Sequence, residues 1–355
     1  MRFSTISACA QEQSDEPRSQ TVVGDHHGRP AGIGPEILVA ALARRRARQV
    51  CQPLVVGDMR ILQRAAAALG RPFRAKVVAD VLEARRRPRR VCVLDLANAD
   101  PEAISVGRVS AAAGRAAADY ILTAAELAKA GMVAGLVTAP VNKEALRLAG
   151  VPHAGHTEML AALCSAEEVA MMLVHGQMRV SHVTTHVAVR QACDLVTQSR
   201  VHAVIHLTDR ALRGLGVSRP RIAVAGLNPH AGESGLFGSE ETREITPAVA
   251  EARADGIEVT GPLPPDTTFA RQRAGEFDGV IAMLHDHGHI AVKTVGFAAR
   301  PDGRLKSAGV NVTLGLPIVR TSVDHGTAFD IAGKGVADPT SMVEAIRLAA
   351  QMAQA

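Results

Sequence analysis

Short apolar runs alternate with helical stretches along this chain, and this alternation limits its fold more than any other feature. Pro53–Asp58, Val91–Leu96 and Val133–Thr138 have the length and composition of buried strands. Helical patterns at Met59–Leu69 and Ser110–Ala130 separate them. Because strands that alternate with helices are typical of βαβ units, the sequence predicts an α/β fold with a parallel sheet.

The scarcity of aromatic residues favours the same fold class. The chain has 355 residues with no Trp and one Tyr, so its core has to consist mainly of Ala, Val, Leu and Ile. Such residues suit buried parallel strands and the helices that cover them. A chain of this length is also long enough for two domains.

The composition predicts a cytoplasmic protein. Its five cysteines are scattered and lack a C-x-x-C pair, which favours a reducing compartment. No apolar run approaches the roughly 18 residues needed to span a membrane. Residues 1–20, which we interpret as a disordered leader, lack the apolar segment of a secretory signal.

The formal net charge of +5 comes partly from two arginine runs, Arg44–Arg48 and Arg85–Arg90. These runs raise the hypothesis of a basic module that binds nucleic acid. They contain no interleaved aromatic residues, and the chain has no known nucleic-acid-binding motif. We therefore interpret them as solvated surfaces and expect neither nucleic-acid nor membrane partners.

The stretch His285–Lys293 is rich in side chains that can bind a metal or an anionic substrate. It has three histidines, an aspartate and a lysine, and it follows the strand-like run Gly279–Leu284. Ligands of open α/β sheets bind at the carboxyl ends of the strands. His186 and His230 also follow strand-like runs, so a parallel sheet would bring them to the same edge as His285. Three imidazoles with an open position predict a catalytic divalent metal site for Zn, Mn, Co, Ni or Mg.

A second group of residues has the properties of an anion-binding site. Arg provides a planar fork for phosphate or carboxylate and Lys a point charge. Burying both cations is unfavourable unless a dianion neutralises them, so the group predicts a phosphorylated substrate. Its members are His156, Thr157, Lys293, Asn311 and Arg320.

A third motif, Asp324–Lys334, reads Asp-His-Gly-Thr-Ala-Phe-Asp-Ile-Ala-Gly-Lys. It is similar to the loop that holds the adenosine half of the nicotinamide cofactor in the isocitrate and isopropylmalate dehydrogenase superfamily. The resemblance implies that NAD contacts His325, Gly326, Asp330 and Ile331. A carboxylate at Asp330 would accept the ribose hydroxyls and repel a 2′-phosphate, which favours NAD over NADP.

From about Pro30 onward, the chain resembles the 4-hydroxythreonine-4-phosphate dehydrogenase family. The matching stretches are Pro30–Glu36, Thr138–Lys143, Gly155–Glu158, Thr184–His186, Leu227–Glu233, Gly261–Thr267, His285-Asp286 and Val310–Pro317 through Asp330. The resemblance implies a metal held by His186, His230 and His285.

The same resemblance implies the architecture of the protein. It predicts a homodimer whose subunits have two α/β/α lobes around a central cleft, as in isocitrate and isopropylmalate dehydrogenases. Residues 21–150 with 325–355 would form the first lobe, and residues 151–324 the second. The second lobe would carry the metal ligands, the substrate residues and the dimer contacts, and the partner subunit would complete the site.

Within that family the chain looks most like the 4-phospho-D-threonate/4-phospho-D-erythronate 3-dehydrogenase branch. The similarity rests on His289–Lys293, on Arg179–His186 and on an extended segment at Ala298–Gly309. Two features depart from the family pattern. The segment His26–Arg29 intervenes before Pro30, and His287 stands where the family usually has Gln.

The resemblance implies NAD- and metal-dependent oxidation at C3 of 4-phospho-D-threonate or 4-phospho-D-erythronate. In the threonate case the 3-keto acid would lose CO₂ to give dihydroxyacetone phosphate. Lys293 and Asp266 are the candidate proton carriers. Two enzymatic alternatives stay open: a 4-hydroxythreonine-4-phosphate dehydrogenase of pyridoxal phosphate synthesis, and a hydrolase whose three-histidine metal activates water.

Overall fold

The computed structural model describes residues 22–26, 30–153, 155–299, 305–306 and 308–354. The predicted leader, residues 27–29 of the His26–Arg29 segment, and residues 300–304 and 307 of the Ala298–Gly309 segment lie outside the described residues. In the described part of the chain, no helix combines the length and apolar composition that crossing a membrane requires.

The strands are short, as expected for an α/β sheet. They are β1 (Val22–His26), β2 (Gln52–Gly57), β3 (Lys76–Val78), β4 (Cys92–Asp95), β5 (Gly135–Thr138), β6 (Ala170–His175), β7 (Met178–His182), β8 (Ile222–Ala225), β9 (Val259–Leu263), β10 (Gly279–Ala282), β11 (Ala298–Ala299), β12 (Leu305–Lys306), β13 (Val310–Leu314) and β14 (Arg320–Val323).

Helices connect most of these strands. They are α1 (Gly34–Ala43), α2 (Arg45–Val50), α3 (Met59–Ala68), α4 (Val81–Arg85), α5 (Ala111–Lys129), α6 (Lys143–Leu148), α7 (His156–Cys164), α8 (Val189–Leu195), α9 (Gln198–Gly214), α10 (Thr246–Ala254), α11 (Pro265–Arg273), α12 (His285–Gly296) and α13 (Thr340–Met352).

Twelve strands form one sheet in the order β3-β4-β2-β1-β5-β14-β13-β6-β7-β10-β8-β9. Most neighbours are parallel, so the predicted α/β class is confirmed. The sheet is nevertheless mixed, because β13 is antiparallel to both of its neighbours and β6 is antiparallel to β7. Short connections explain the inversions. Only Gly176 and Gln177 join β6 to β7, and a two-residue loop permits only a hairpin.

The hairpin β13–β14 joins the two parts of the sheet. β14 pairs with β5 on one side, and β13 pairs with β6 on the other. Gly315, in the turn between them, has φ +88°, and a Cβ there would lie 1.9 Å from the carbonyl oxygen of Glu168. Thr321 on β14 donates a 2.9 Å hydrogen bond to the Ala345 carbonyl, which fixes α13 against the sheet.

The long helix α5 packs directly against its neighbour because of its small residues. Ser110 caps it by accepting from the Ala113 amide, as its position before an Ala-rich run predicts. A Cβ at Gly114 would lie 2.0 Å from the Ala145 carbonyl on α6. This close approach holds the start of α6 beside the carboxyl end of β5, where the candidate site begins.

Candidate active site

A cleft of about 420 Å³ lies at the ends of β5, β13 and β14. Seven of the predicted site residues line it: His156, Thr157, His186, Asn311, Arg320, His325 and Gly326. These residues come from five separate stretches of the chain. The sheet therefore brings together most of the predicted substrate residues, one predicted metal ligand and the start of the predicted cofactor loop.

Arg320 is a buried cation at the base of this cleft, with only 6% of its surface exposed. Its Nη1 donates to Thr313 Oγ1 over 2.8 Å, and its Nη2 donates to Thr138 Oγ1 over 2.6 Å. Burial lowers the pKa of Arg320 to about 10, while the Glu158 carboxylate acts in the opposite direction. Both described partners are neutral hydroxyls, so the guanidinium charge is available to an anionic ligand in the cleft.

The first turn of α7 also faces the cleft. Gly155, the N-cap residue, and His156 and Thr157 line the cleft wall. A helix N-terminus carries a partial positive charge and favours anions. Lys143 lines the cleft too, at the start of α6. Arg320, the α7 N-terminus and Lys143 together form what we call the anion end of the cleft.

Sequence reasoning missed Lys143, Thr138 and Thr313 as site residues. Lys143 and Thr138 belong to a motif that begins where β5 ends, and this placement is a signal that could have identified them. Thr313 lies on a strand whose direction the sequence did not indicate. Its role in holding Arg320 depends on the antiparallel pairing of β13 with β14.

Histidine rings form a connected cluster beside the cleft. The ring centroids of His186 and His285 are 5.4 Å apart, those of His285 and His289 are 3.8 Å apart and stacked, and those of His182 and His289 are 4.8 Å apart. His285 Nδ1 lies 2.7 Å from an oxygen of Asp286. This contact orients the ring and leaves Nε2 for a ligand, as outer carboxylates do in metal sites.

Burial favours the neutral form of three histidines of this cluster, His182, His186 and His289. Burial lowers the pKa of His182 to about 3 and that of His289 to about 4. Burial, followed by the nearby Lys143 ammonium, lowers the pKa of His186. Neutral imidazoles are the form that binds metal ions. Sequence reasoning assigned no role to His182 or His289, although His289 follows His285 by four residues and so shares its helix face.

His287 lies half-buried on the same helix, and burial lowers its pKa. The described ring contacts of the cluster join its neighbours His285 and His289 and do not include His287. Its expected effect on the surroundings of a metal stays a prediction.

His230 lies at the same sheet edge but takes no part in the described ring contacts of the cluster. β7, β10 and β8 are adjacent and parallel, so their ends place His186, His285 and His230 along one edge. His230 is exposed in the turn Pro229–Gly235, where residues 230–234 all have positive φ. The ligand atoms of the three histidines do not all lie within 4.8 Å of one another in this single chain.

The two candidate proton carriers lie outside the cleft. Lys293 lines a neighbouring depression with His285 and His289, and its Nζ is 3.6 Å from Asp324 Oδ1. Burial raises the pKa of Asp324, and the Lys293 ammonium partly opposes that rise. Asp266 is exposed in the first turn of α11.

The predicted cofactor loop begins at the cleft and runs to the surface. His325 and Gly326 line the cleft, Ile331 packs partly buried against the main core, and Asp330 is exposed. The carboxylate of Asp330 is accessible from solvent, and its predicted contact with the ribose hydroxyls of NAD stays a prediction.

Glu36 holds this loop from the other end of the chain. Its buried carboxylate accepts from the Gly333 amide at 2.5 Å and from the Gly335 amide at 2.8 Å. The Ile33 amide also donates to the Thr327 carbonyl at 3.1 Å. The Pro30–Glu36 motif therefore supports the loop, a role that the sequence did not reveal.

A largely parallel α/β sheet whose strand ends line a cationic cleft is the architecture of an α/β enzyme that binds an anionic small molecule. The family described as pyridoxal phosphate biosynthetic protein PdxA matches residues 49–349. This match covers most of the chain, and the chain belongs to that family. The family resemblance predicted from the motifs is confirmed.

Individual relatives indicate the reaction class. D-threonate 4-phosphate dehydrogenase of Salmonella typhimurium is 48% identical over 328 residues, which are 92% of this chain and 97% of the relative. 4-Hydroxythreonine-4-phosphate dehydrogenase of Beijerinckia indica is 47% identical over 325 residues, or 92% of this chain and 93% of the relative. A crystal structure of 4-hydroxythreonine-4-phosphate dehydrogenase from Klebsiella pneumoniae has a TM-score of 0.84 at 45% identity, covering 94% of this chain and 98% of that one. The protein is an oxidoreductase, as predicted.

Proposed function

We propose that this enzyme oxidises C3 of 4-phospho-D-threonate or 4-phospho-D-erythronate with NAD and a divalent metal. In the threonate case, the resulting 3-keto acid loses CO₂ to give dihydroxyacetone phosphate. The observation that carries the proposal is the buried Arg320, whose described hydrogen-bond partners at the base of the cleft are neutral hydroxyls. A phosphate offers about −1.5 to −2 charges and several acceptor oxygens to such a cation.

The anion end of the cleft supports a phosphorylated substrate over a simple hydroxy acid. Arg320 can form a bidentate pair with phosphate oxygens, and the α7 N-terminus and Lys143 add positive potential on another wall. Asn311 and Thr157 line the same cleft and can hydrogen-bond the hydroxyl groups of the substrate. The name of the Salmonella relative, a D-threonate 4-phosphate dehydrogenase, agrees with this substrate class.

His186 and His285 fit a divalent metal because their rings are neighbours and Asp286 orients one of them. When bound, the metal would polarise the C2 and C3 oxygens of the substrate, and NAD, held by the loop from His325 to Ile331, would accept the hydride. Lys293, as the amine, is our candidate for accepting the proton of the C3 hydroxyl. The buried Asp324 beside it positions the lysine side chain.

A shared site explains the exposed positions of His230 and Asp266. We propose a homodimer in which each subunit supplies these two residues to the site of its partner. His230 would then complete the three-histidine ligand set. The proposed lobes, residues 21–150 with 325–355 and residues 151–324, would meet along the β13–β14 hairpin.

The name of the Beijerinckia relative favours a second candidate, 4-hydroxythreonine-4-phosphate dehydrogenase activity. The two substrates differ at C2, which carries a hydroxyl group in one and an amino group in the other. Arg320 would bind the phosphate of either. A metal hydrolase has no comparable support, since the relatives are named dehydrogenases.

A substrate panel tests the proposal directly. Chelator-treated enzyme is assayed for NADH formation with each phosphorylated four-carbon acid, and Zn²⁺, Mn²⁺, Co²⁺, Ni²⁺ or Mg²⁺ is restored in turn. We expect turnover of 4-phospho-D-threonate with release of CO₂ and dihydroxyacetone phosphate. Faster turnover of 4-phosphohydroxy-L-threonine would favour the second candidate. Absence of NADH with every acid and metal would refute both.

A further inference from the structure

A second group of potential metal ligands lies outside the cleft. His202 and His206 on α9 face Asp255, which caps the C-terminus of α10. The Nε2 atoms of both histidines lie 2.9 Å from Asp255 Oδ2 and 3.2 Å from each other. We call these three residues the α9–α10 cluster. None of them lines the cleft, and they share a separate shallow depression with Glu168 and Arg210.

The sequence spacing explains why these side chains converge. Residues four apart on a helix share a face, so both imidazoles of α9 point in one direction. Asp255 arrives from another helix, at a C-terminus where a negative charge is disfavoured by the helix dipole. Two imidazoles and one carboxylate are a donor set suited to transition metals.

The distances among the three donors are those expected around a single ion. Donors that lie about 2.1 Å from a metal are separated by roughly 3.0 Å on a face of an octahedron and by roughly 3.4 Å in a tetrahedron. The observed separations of 2.9, 2.9 and 3.2 Å match the octahedral face. Without a metal, the protons of the hydrogen bonds have to fit between the Nε2 atoms of His202 and His206 and the single Oδ2 atom of Asp255. A bound metal would take their place.

We propose that the α9–α10 cluster binds a divalent transition-metal ion through two histidines and one aspartate, separately from the catalytic site. The ion joins α9 to the end of α10 and leaves open positions toward solvent. Because it binds the folded chain and not the unfolded one, it stabilises the packing of these helices. Nitrogen donors favour Ni²⁺, Co²⁺ or Zn²⁺ over Mg²⁺, which prefers oxygen ligands.

The test uses a full-length, tag-free chain that carries His186→Ala and His285→Ala, so that the proposed catalytic ligands cannot contribute. Ni²⁺ is titrated calorimetrically into this chelator-treated protein. We expect one Ni²⁺ per chain and a rise in unfolding temperature with Ni²⁺ concentration. A large excess of Mg²⁺ should not displace the Ni²⁺. The result is independent of whether the enzyme is active.

Two further substitutions locate the ion. His206→Gln should weaken Ni²⁺ binding at least about 100-fold, since losing a residue that merely orients a ligand already costs roughly 10–100-fold. Asp255→Asn should weaken binding in the same direction. His153→Gln removes a partly exposed imidazole outside the cluster and should leave the affinity unchanged. Absence of Ni²⁺ binding in the double-alanine background, or binding that survives both His206→Gln and Asp255→Asn, overturns the proposal.

Discussion

At the scale of single residues, Arg320 dominates the electrostatics of the cleft. A cation removed from water needs compensating charge or hydrogen bonds, and here Thr138 and Thr313 provide only neutral oxygens. The pKa of Arg320 is lowered because burial disfavours the charged form of its guanidinium group. The residue is therefore arranged for a ligand that brings negative charge with it.

We predict that Arg320→Ala lowers kcat/KM for the phosphorylated acid by about 2–5 kcal/mol, or roughly 30- to 5,000-fold. The loss should largely vanish when the unphosphorylated acid is assayed, because that substrate lacks the group the guanidinium binds. Arg179→Ala is a matched control, since burial also lowers the pKa of Arg179 but it lies outside the cleft. Equal losses on both substrates for Arg320→Ala would contradict the assignment.

A second prediction concerns the exposed carboxylate of the cofactor loop. Asp330→Ala should reduce the preference for NAD over NADP, because the carboxylate that accepts ribose hydroxyls and repels a 2′-phosphate is gone. The measurement is the ratio of kcat/KM for the two cofactors. Asp194→Ala removes an exposed carboxylate elsewhere and should leave that ratio unchanged. A wild-type ratio in Asp330→Ala would show that Asp330 does not face the ribose.

At the scale of elements, α12 depends on close contact with β7. Gly288 faces the strand, and a Cβ there would lie 2.3 Å from His182 Nε2 and 2.7 Å from Val180 Cγ1. Because no side chain fits between helix and strand, the histidine rings of α12 and β7 come close enough to form the cluster. The glycine thus positions His285 and His289.

We predict that Gly288→Ala destabilises the protein by about 1–3 kcal/mol, the usual effect of overpacking a filled interior. Thermal or urea unfolding measures the loss. Gly214→Ala is the control, because Gly214 is also a helical glycine, at the end of α9, but a Cβ there meets no atom within 4 Å. That control should be neutral or slightly stabilising. Wild-type stability of Gly288→Ala would mean that the helix can shift away from His182 without loss.

The elements also show what could be predicted from the sequence and what could not. The end of a strand can be recognised locally, where an apolar run is followed by polar residues. The placement of His186 and His285 at one sheet edge could therefore be predicted from the sequence. The contact between Glu36 and Gly333 joins residues 297 positions apart, and no local pattern reports it. The antiparallel direction of β13 could not be predicted for the same reason, because the direction of a strand depends on neighbours from distant parts of the chain.

At the scale of the whole molecule, the proposed dimer predicts which subunit supplies each of the three histidine ligands of the metal. His186 and His285 are neighbours within one chain, whereas His230 projects from an exposed turn. If His230 serves the partner's site, two inactive subunits can complement each other. If all three ligands belong to one chain, they cannot.

We predict that His230→Ala and His285→Ala subunits are each inactive alone but recover activity when co-expressed. Random pairing gives half heterodimers with one intact site each, or about a quarter of wild-type activity. The matched control pairs His186→Ala with His285→Ala, which alter the same site and should not complement. Absence of recovery in the first pair, with heterodimers verified by mass spectrometry, would contradict a shared site.

The position of β14 in the middle of the sheet has a consequence for synthesis on the ribosome. β5 and β6 are made early, but the hairpin that joins their open edges lies near the end of the chain. A nascent chain therefore exposes two unpaired edges until residues 310–323 have emerged, and such edges can pair with other chains. Arg320 begins the last of these strands, so the cation that binds the substrate is among the final parts of the site to form.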